Sequence, residues 1–224
     1  MTPEESTAWR IDLPGGSFDI LPFFRDFALP RVPEGGSYLE VGSFFGRSAC
    51  FVGLERPDIR ITVVDPWADT WEDAGEQLPV GPDRERRDKY GGMFEAFLAG
   101  VKEHAPELLT GDRPGGPLVI RRGFSRDVLP HIPDHSVDFS FLDGDHTLQG
   151  LKFDVASARR ITKPGGLIGG HDLHCAAWNS PTTQAVREEL VLRPGAKGYK
   201  LAPWPYEREG WEPGHSSVWF CTDW

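Results

Sequence analysis

Short apolar runs and amphipathic segments alternate five times along this chain, and no other feature constrains its fold as strongly. Ser37–Val41 (SYLEV), Ile59–Val64 (IRITVV), Pro117–Ile120 (PLVI), Val137–Leu142 (VDFSFL) and Gly166–Gly170 (GLIGG) each read as a short buried strand. Helical segments separate them. Gly46–Leu54 follows the first strand. Met93, Phe94, Phe97, Leu98 and Val101 lie on one helical face, as do Leu148, Leu151, Val155 and Ala158. Ser125–Leu129 is a short helix with Ser125 as its expected N-cap, and Thr182–Leu190 is another. Successive βαβ units require a parallel sheet with helices on both faces. Tyr199–Ala202 and Ser217–Cys221 add two closing strands. The expectation is an α/β, doubly wound, seven-stranded, mostly parallel sheet with a C-terminal antiparallel hairpin, in a single domain over residues 1–224.

Two stretches interrupt the pattern. Residues 1–30 form an N-terminal helical extension, with the aromatic run FDILPFFRDFAL (Phe18–Leu29) helical after Pro22. Residues 69–92 are charged, carry four glycines and two prolines, and are too long for an ordinary connection, so they read as a lid-like insertion. Within it Arg84, Arg86, Arg87 and Lys89 interleave with Asp83, Glu85 and Asp88, the pattern of a solvated face. Pro203–His215, with Trp204, Tyr206 and Trp211, is a second irregular stretch and a further candidate pocket wall. Trp67, Trp71 and Trp178 are open to the same use or to plain packing.

Composition excludes several classes of function. With 24 basic against 34 acidic residues the formal charge is −10, which argues against nucleic acid as a partner and for a small molecule. No apolar run approaches the ~20 residues of a membrane span. The opening MTPEESTAWRIDLPGG lacks the basic and apolar regions of a secretory leader. Cys50, Cys175 and Cys221 are too widely spaced for a disulfide framework, which suits a reducing, cytoplasmic setting.

The first strand runs into Glu40-Val41-Gly42-Ser43-Phe44-Phe45-Gly46-Arg47-Ser48. Gly42 permits a sharp turn and close approach of a ligand to the backbone. The spacing is not that of a dinucleotide turn, and no Lys-Ser/Thr pair follows for a triphosphate loop. What remains is an acid at the strand end, a glycine turn and a second glycine, Gly46, near Ser48. Asp65 ends the second strand, 25 residues after Glu40, where an acid takes ribose hydroxyls. Gly123-Phe124-Ser125 follows the third strand, where an adenine would lie against the Phe ring.

In this order, YLEVGSFFGRSA, VVDPW, RRGFSRDVLP, VDFSFLDGDHTLQGLKFDV and KPGGLIGGHD resemble the class I S-adenosylmethionine-dependent methyltransferases, over about Tyr38 to Val186. More narrowly they resemble the branch with a DGDH motif after strand four, which includes macrocin O-methyltransferase and cephalosporin-hydroxylase relatives. The resemblance implies a Rossmann-like fold. It implies that Glu40, Gly42 and Ser43 hold the methionine end of the cofactor, Asp65 the ribose and Ser125 the adenine side. The 69–92 insertion and the Trp-rich tail depart from the family and leave the substrate open.

Asp143-Gly144-Asp145-His146 ends strand four, and His171-Asp172-Leu173-His174 ends strand five. Neighbouring parallel strands bring both to one carboxyl edge beside the glycine turn. Several acids gathered there require a compensating cation or donors. Asp143 and Asp172 offer hard oxygens suited to Mg²⁺ or Mn²⁺, and His171 is the expected third ligand. The resemblance supports Asp143 and the His171-Asp172 pair as metal positions, and Asp145 as the base. His146 and His174 are further base candidates, since imidazole titrates near neutrality. Asp145 also stands where a helix-capping residue would.

The combined expectation is S-adenosylmethionine-dependent O-methylation of a small hydroxylated metabolite of natural-product, sugar or phenolic type, assisted by a divalent metal. A metal-dependent hydrolase built on the Asp/His cluster, a non-catalytic cofactor-binding relative, and N- or C-methylation stay open as alternatives. So does a homodimer.

Overall fold

Each expected strand forms; Ser37–Val41 and Val137–Leu142 are buried on both faces inside the helix-covered sheet, whereas Val119–Arg122 is an exposed edge strand. The computed structural model describes residues 11, 13, 20–68, 82–173, 180–192, 200–201 and 218–222. Its strands are β1 (Ser37–Val41), β2 (Arg60–Asp65), β3 (Val119–Arg122), β4 (Val137–Leu142), β5 (Thr162–Gly170), β6 (Lys200–Leu201) and β7 (Trp219–Cys221). The helices are α1 (Ile20–Phe23, continued as a π-turn over Phe24–Ala28), α2 (Arg47–Glu55), α3 (Pro82–Tyr90), α4 (Met93–His104), α5 (Glu107–Thr110), α6 (Ser125–Val128), α7 (Leu148–Ile161) and α8 (Pro181–Val186).

The sheet order is β3-β2-β1-β4-β5-β7-β6. Strands β3 through β5 are parallel. β7 runs antiparallel against β5, and the two-residue β6 pairs antiparallel along its outer side. The order reverses direction at β1, whose neighbours are β2 and β4. The carboxyl ends of β1 and β4 therefore flank the crevice in which open α/β sheets bind their ligands.

Alternation along β1 splits the core. Tyr38 faces an aromatic layer in which the α1 ring of Phe24 meets Phe141 edge-on at 4.8 Å and Phe139 at 5.5 Å. Leu39 and Val41 face the other layer with Val155, Ala158 and Ile161 of α7 and Val186 of α8.

Several boundaries differ from expectation. β3 starts two residues late, since Pro117 has no N–H and the Leu118 N–H bonds to Leu108 instead (2.7 Å). The Lys163-Pro164-Gly165 turn lies inside β5 as a bulge: the ladder advances from Val137 to Phe139 in β4 while β5 advances from Thr162 to Leu167. Ser125 is the first helical residue of α6 rather than its N-cap, a position taken by Phe124 without a side-chain bond. The latter part of the 69–92 stretch is helix α3, held to α4 by Tyr90 and Arg86, which bond to Glu103 at 2.5 and 3.0 Å. Residues 69–81, and with them Trp71, lie outside the described residues, as do His174, Cys175, Trp178 and the Trp204–Trp211 segment. No described helix is long and apolar enough to cross a membrane.

Candidate active site

The crevice is closed at its base by backbone. Gly42 has φ +83°, and a Cβ there would lie 2.0 Å from the Asp143 carbonyl oxygen and 2.7 Å from Cα of Gly144. Its neighbours hold it in register: the Gly42 N–H bonds to Val64 O (2.9 Å) and the Asp143 N–H to Val41 O (2.8 Å). The close approach of the β4 end by itself makes glycine necessary here. The same contact ties the glycine turn to the DGDH segment. Gly46, also left-handed at φ +83°, caps α2 and leaves room for the Phe97 ring of α4.

Glu40 is 1% exposed at the floor of this crevice. Its carboxylate accepts from the Ser43 hydroxyl at 2.9 Å and from the Ser48 hydroxyl, so the turn and the first turn of α2 converge on one acid. Burial pushes its carboxyl up to about 7. The hydroxyls of Ser48, Ser43 and Tyr38 oppose that rise, and nearby Asp143 adds to it. An acid so placed, short of a full countercharge, is suited to a cationic ligand group.

Asp65 organises the rim. Its Oδ2 accepts the Ser43 and Phe44 N–H groups (2.8 and 2.9 Å) and its Oδ1 the Trp67 N–H (2.6 Å). Burial raises its carboxyl, against those three donors. A carboxylate carries about four lone-pair positions, so after three backbone bonds roughly one is left for a ribose hydroxyl. Phe44 and Trp67 both hold left-handed backbones (φ +47° and +43°), and the Trp67 indole N–H bonds to Phe44 O at 2.7 Å. Non-glycine residues in that region store strain, which persists only where the surroundings over-determine it. The Trp67 ring packs on Phe97 (4.4 Å) and Phe94 (5.1 Å) and is 1% exposed, so it serves the core rather than a pocket wall.

At the β4 and β5 ends, ligand atoms of Asp143, His146 and Asp172 all lie within 4.8 Å of one another. His146 Nε2 is 3.0 Å from Asp172 Oδ2 and 4.0 Å from Asp143 Oδ1. His171 Nδ1 is 2.9 Å from Asp172 Oδ1 and 3.8 Å from Asp143 Oδ1. His146 joins the two acids in this group, and His171, the ligand expected from the sequence, reaches the same two acids at comparable distances. Asp172 adopts a left-handed backbone at φ +61°. Burial pushes its carboxyl up, but bonds from His146 and His171 outweigh that and hold it well below the usual range. Two carboxylates and one imidazole at this spacing fit a divalent cation of the Mn²⁺ or Mg²⁺ type.

Asp145 is not among these clustered atoms. Its Oδ1 accepts the Thr147 N–H (2.7 Å), and its carboxylate lies so close over Gly150 that a Cβ there would meet Oδ2 at 1.9 Å. Thr147 is the N-cap of α7 and accepts from the Gly150 N–H. Gly123 bonds through its N–H to Asp65 O at 3.0 Å, so the β3 loop is docked on the β2 end. The Arg126 guanidinium sits 4.4 Å from the Phe124 ring centroid. Asp154 on α7 is a buried acid, 1% exposed, that reading the sequence did not single out, and burial pushes its carboxyl up to about 7. Its only signal was an acid at a helix position next to the apolar Val155.

The profile of a family described as a methyltransferase domain matches residues 39–173, more than half of the chain. No curated protein sequence matches it significantly. Among solved structures, the fold is similar to that of the O-methyltransferase NovP (14% identity, TM-score 0.59, covering 92% of this chain and 80% of that one). It is also similar to an O-methyltransferase from Bacillus cereus in complex with SAH (18%, 0.52, 84% and 79%). A third similar structure is the apo TDP-rhamnose 3′-O-methyltransferase of calicheamicin biosynthesis (17%, 0.51, 99% and 95%).

Proposed function

The chain belongs to the methyltransferase domain family, and from that premise we propose that it is an S-adenosylmethionine-dependent O-methyltransferase of a small hydroxylated metabolite, assisted by a divalent cation. The observation that carries this reading is the meeting of two elements at the β1/β4 crevice. One is the buried Glu40 with its Ser43 and Ser48 donors; the other is the Asp143–His146–Asp172 cluster, joined to it through the Gly42–Asp143 contact.

In this reading Glu40, Gly42, Ser43, Gly46 and Ser48 surround the methionine end of the cofactor. The Glu40 carboxylate answers its ammonium group. Asp65 takes a ribose hydroxyl with its remaining acceptor position, and Gly123, Phe124 and Ser125 border the adenine. When bound, the cofactor supplies an electrophilic sulfonium methyl. The cation position is assigned to Asp143, His146 and Asp172, with His171 holding Asp172 in place. A divalent cation there lowers the pKa of a bound substrate hydroxyl. Asp145, His146 and His174 are the proposed candidates for the base; the Asp145 Oδ1 already accepts the Thr147 N–H, which leaves Oδ2 for that role. The proposed acceptor is of the natural-product, sugar or phenolic type, in keeping with the acidic charge of the chain.

Calorimetric titration of chelator-treated protein with S-adenosylhomocysteine, the demethylated product, tests both parts. Micromolar binding is expected, with a further gain on adding Mg²⁺ or Mn²⁺ together with a hydroxylated acceptor. Absence of binding in every condition refutes the cofactor assignment. Binding and turnover indifferent to metal refute the cation.

A further inference from the structure

Two imidazoles, not one, face the acids at the β4 and β5 ends, and they come from different strands. His146 follows β4 and His171 follows β5. His146 Nε2 stands 3.0 Å from Asp172 Oδ2, and His171 Nδ1 stands 2.9 Å from Asp172 Oδ1. Each nitrogen is thus matched to its own oxygen of one carboxylate. Asp143 Oδ1 lies 4.0 Å from the first nitrogen and 3.8 Å from the second, so a single oxygen serves both at nearly equal range. Around an ion with bonds of about 2.1 Å, ligand atoms at a right angle are about 3.0 Å apart and opposed ones about 4.2 Å. The separations here span that same range. The His171 side chain is 13% exposed and that of His146 47%, so one imidazole sits inside the crevice edge and the other borders solvent.

We propose that His146 and His171 bind the cation together with Asp143 and Asp172, and that this two-nitrogen set selects a first-row transition ion (Mn²⁺ through Zn²⁺) over Mg²⁺. Mg²⁺ is a hard ion that gives up water reluctantly and is held through one or two carboxylates, its other positions staying hydrated. Asp143 and Asp172 alone would meet that need. Each imidazole takes a position that Mg²⁺ would leave to water, and replaces oxygen by a softer nitrogen. Imidazole suits the transition ions, whose affinity for such sites rises from Mn²⁺ toward Cu²⁺. The two carboxylates supply the negative charge that a divalent ion balances, and the neutral imidazoles add ligands without adding charge. The ion is the one assigned under the proposed function, and its selection rests on that reading.

The test titrates the chelator-treated full chain with MgCl₂, MnCl₂ and CoCl₂ separately, by calorimetry and without turnover. Wild type is expected to bind Mn²⁺ and Co²⁺ at least about tenfold more tightly than Mg²⁺. Pulsed electron paramagnetic resonance of the Mn²⁺-loaded protein then counts ligating imidazole nitrogens by their coupling to the ion. Two are expected in wild type and one in His171→Asp, whose folding is checked by circular dichroism and thermal melting. His171→Asp, which trades nitrogen for a third carboxylate, is also expected to narrow the Mn²⁺ over Mg²⁺ preference by about tenfold. Wild type with fewer than two coupled nitrogens overturns the proposal, whether or not the variant folds. A folded His171→Asp that keeps both nitrogens and the wild-type preference overturns it as well. Wild type that binds Mg²⁺ as tightly as Mn²⁺ refutes this inference alone and leaves the cation in place. Wild type that binds none of the three ions, yet still binds S-adenosylhomocysteine, refutes the cation assignment beneath it.

Discussion

Replacing Gly42 by alanine is expected to damage both stability and ligand binding, and a matched control separates the causes. Gly42 and Gly35 both hold left-handed backbones, at φ +83° and +66°. A Cβ at Gly35 meets nothing within 4 Å, whereas one at Gly42 would stand 2.0 Å from the Asp143 carbonyl oxygen, against the 3.4–4 Å of ordinary contact. Gly35→Ala therefore carries only the backbone strain, about 1–2 kcal/mol. Gly42→Ala carries that strain plus an overlap that only backbone movement can relieve, about 1–3 kcal/mol more. At roughly 2–4 °C per kcal/mol for a domain of this size, the two melting temperatures should differ by several degrees.

The displaced atoms are the Asp143–Gly144 backbone, which carries Asp143 of the Asp143–His146–Asp172 group. Gly42→Ala should therefore weaken S-adenosylhomocysteine binding well beyond Gly35→Ala. Urea denaturation with a common slope measures the first effect and calorimetry the second. Equal destabilisation of the two variants, with unimpaired binding by Gly42→Ala, would refute the claim that β4 packing is what demands glycine at this position.

Two further outcomes follow from the electrostatics of the site. Glu40 titrates at an ordinary 4.5 when exposed and at about 7 when buried. The folded state therefore binds its proton more tightly, and stability falls as pH rises from about 4.5 to 7, by about 3 kcal/mol in all. Glu40→Gln should remove that slope, so its stability relative to wild type climbs through the window and levels off above pH 7 in urea melts; parallel curves would contradict the burial argument. Asp172→Asn keeps a side chain that tolerates the left-handed φ of +61° but loses the charge that draws in His146 and His171. It should abolish the metal-dependent gain while leaving metal-free S-adenosylhomocysteine affinity within about threefold, the scale of a minor contact; a retained metal response in titration would remove Asp172 from the cation set.

Much of this site was legible before the fold. Periodicity placed Glu40, Asp65, Asp143 and the His171-Asp172 pair at strand ends, and parallel strands put such ends on one edge. What could not be read is which way each side chain leaves its strand end. That His146 comes within reach of the same two acids as His171 has no signature in residue type. Asp145, read as a base with helix capping as the rival, is bonded to Thr147 in the structure. Asp65, read as a ribose ligand, is already engaged by three backbone donors.

Strand and helix identity, the parallel sheet and the edge on which ligands gather are matters of local periodicity and chain connectivity, and the sequence alone determined them. The contact that makes Gly42 necessary joins residues far apart in the chain and spans the β1/β4 neighbour relation. No spacing along the sequence encodes which two backbones will press together. That was decided only when the sheet order brought the two strands side by side.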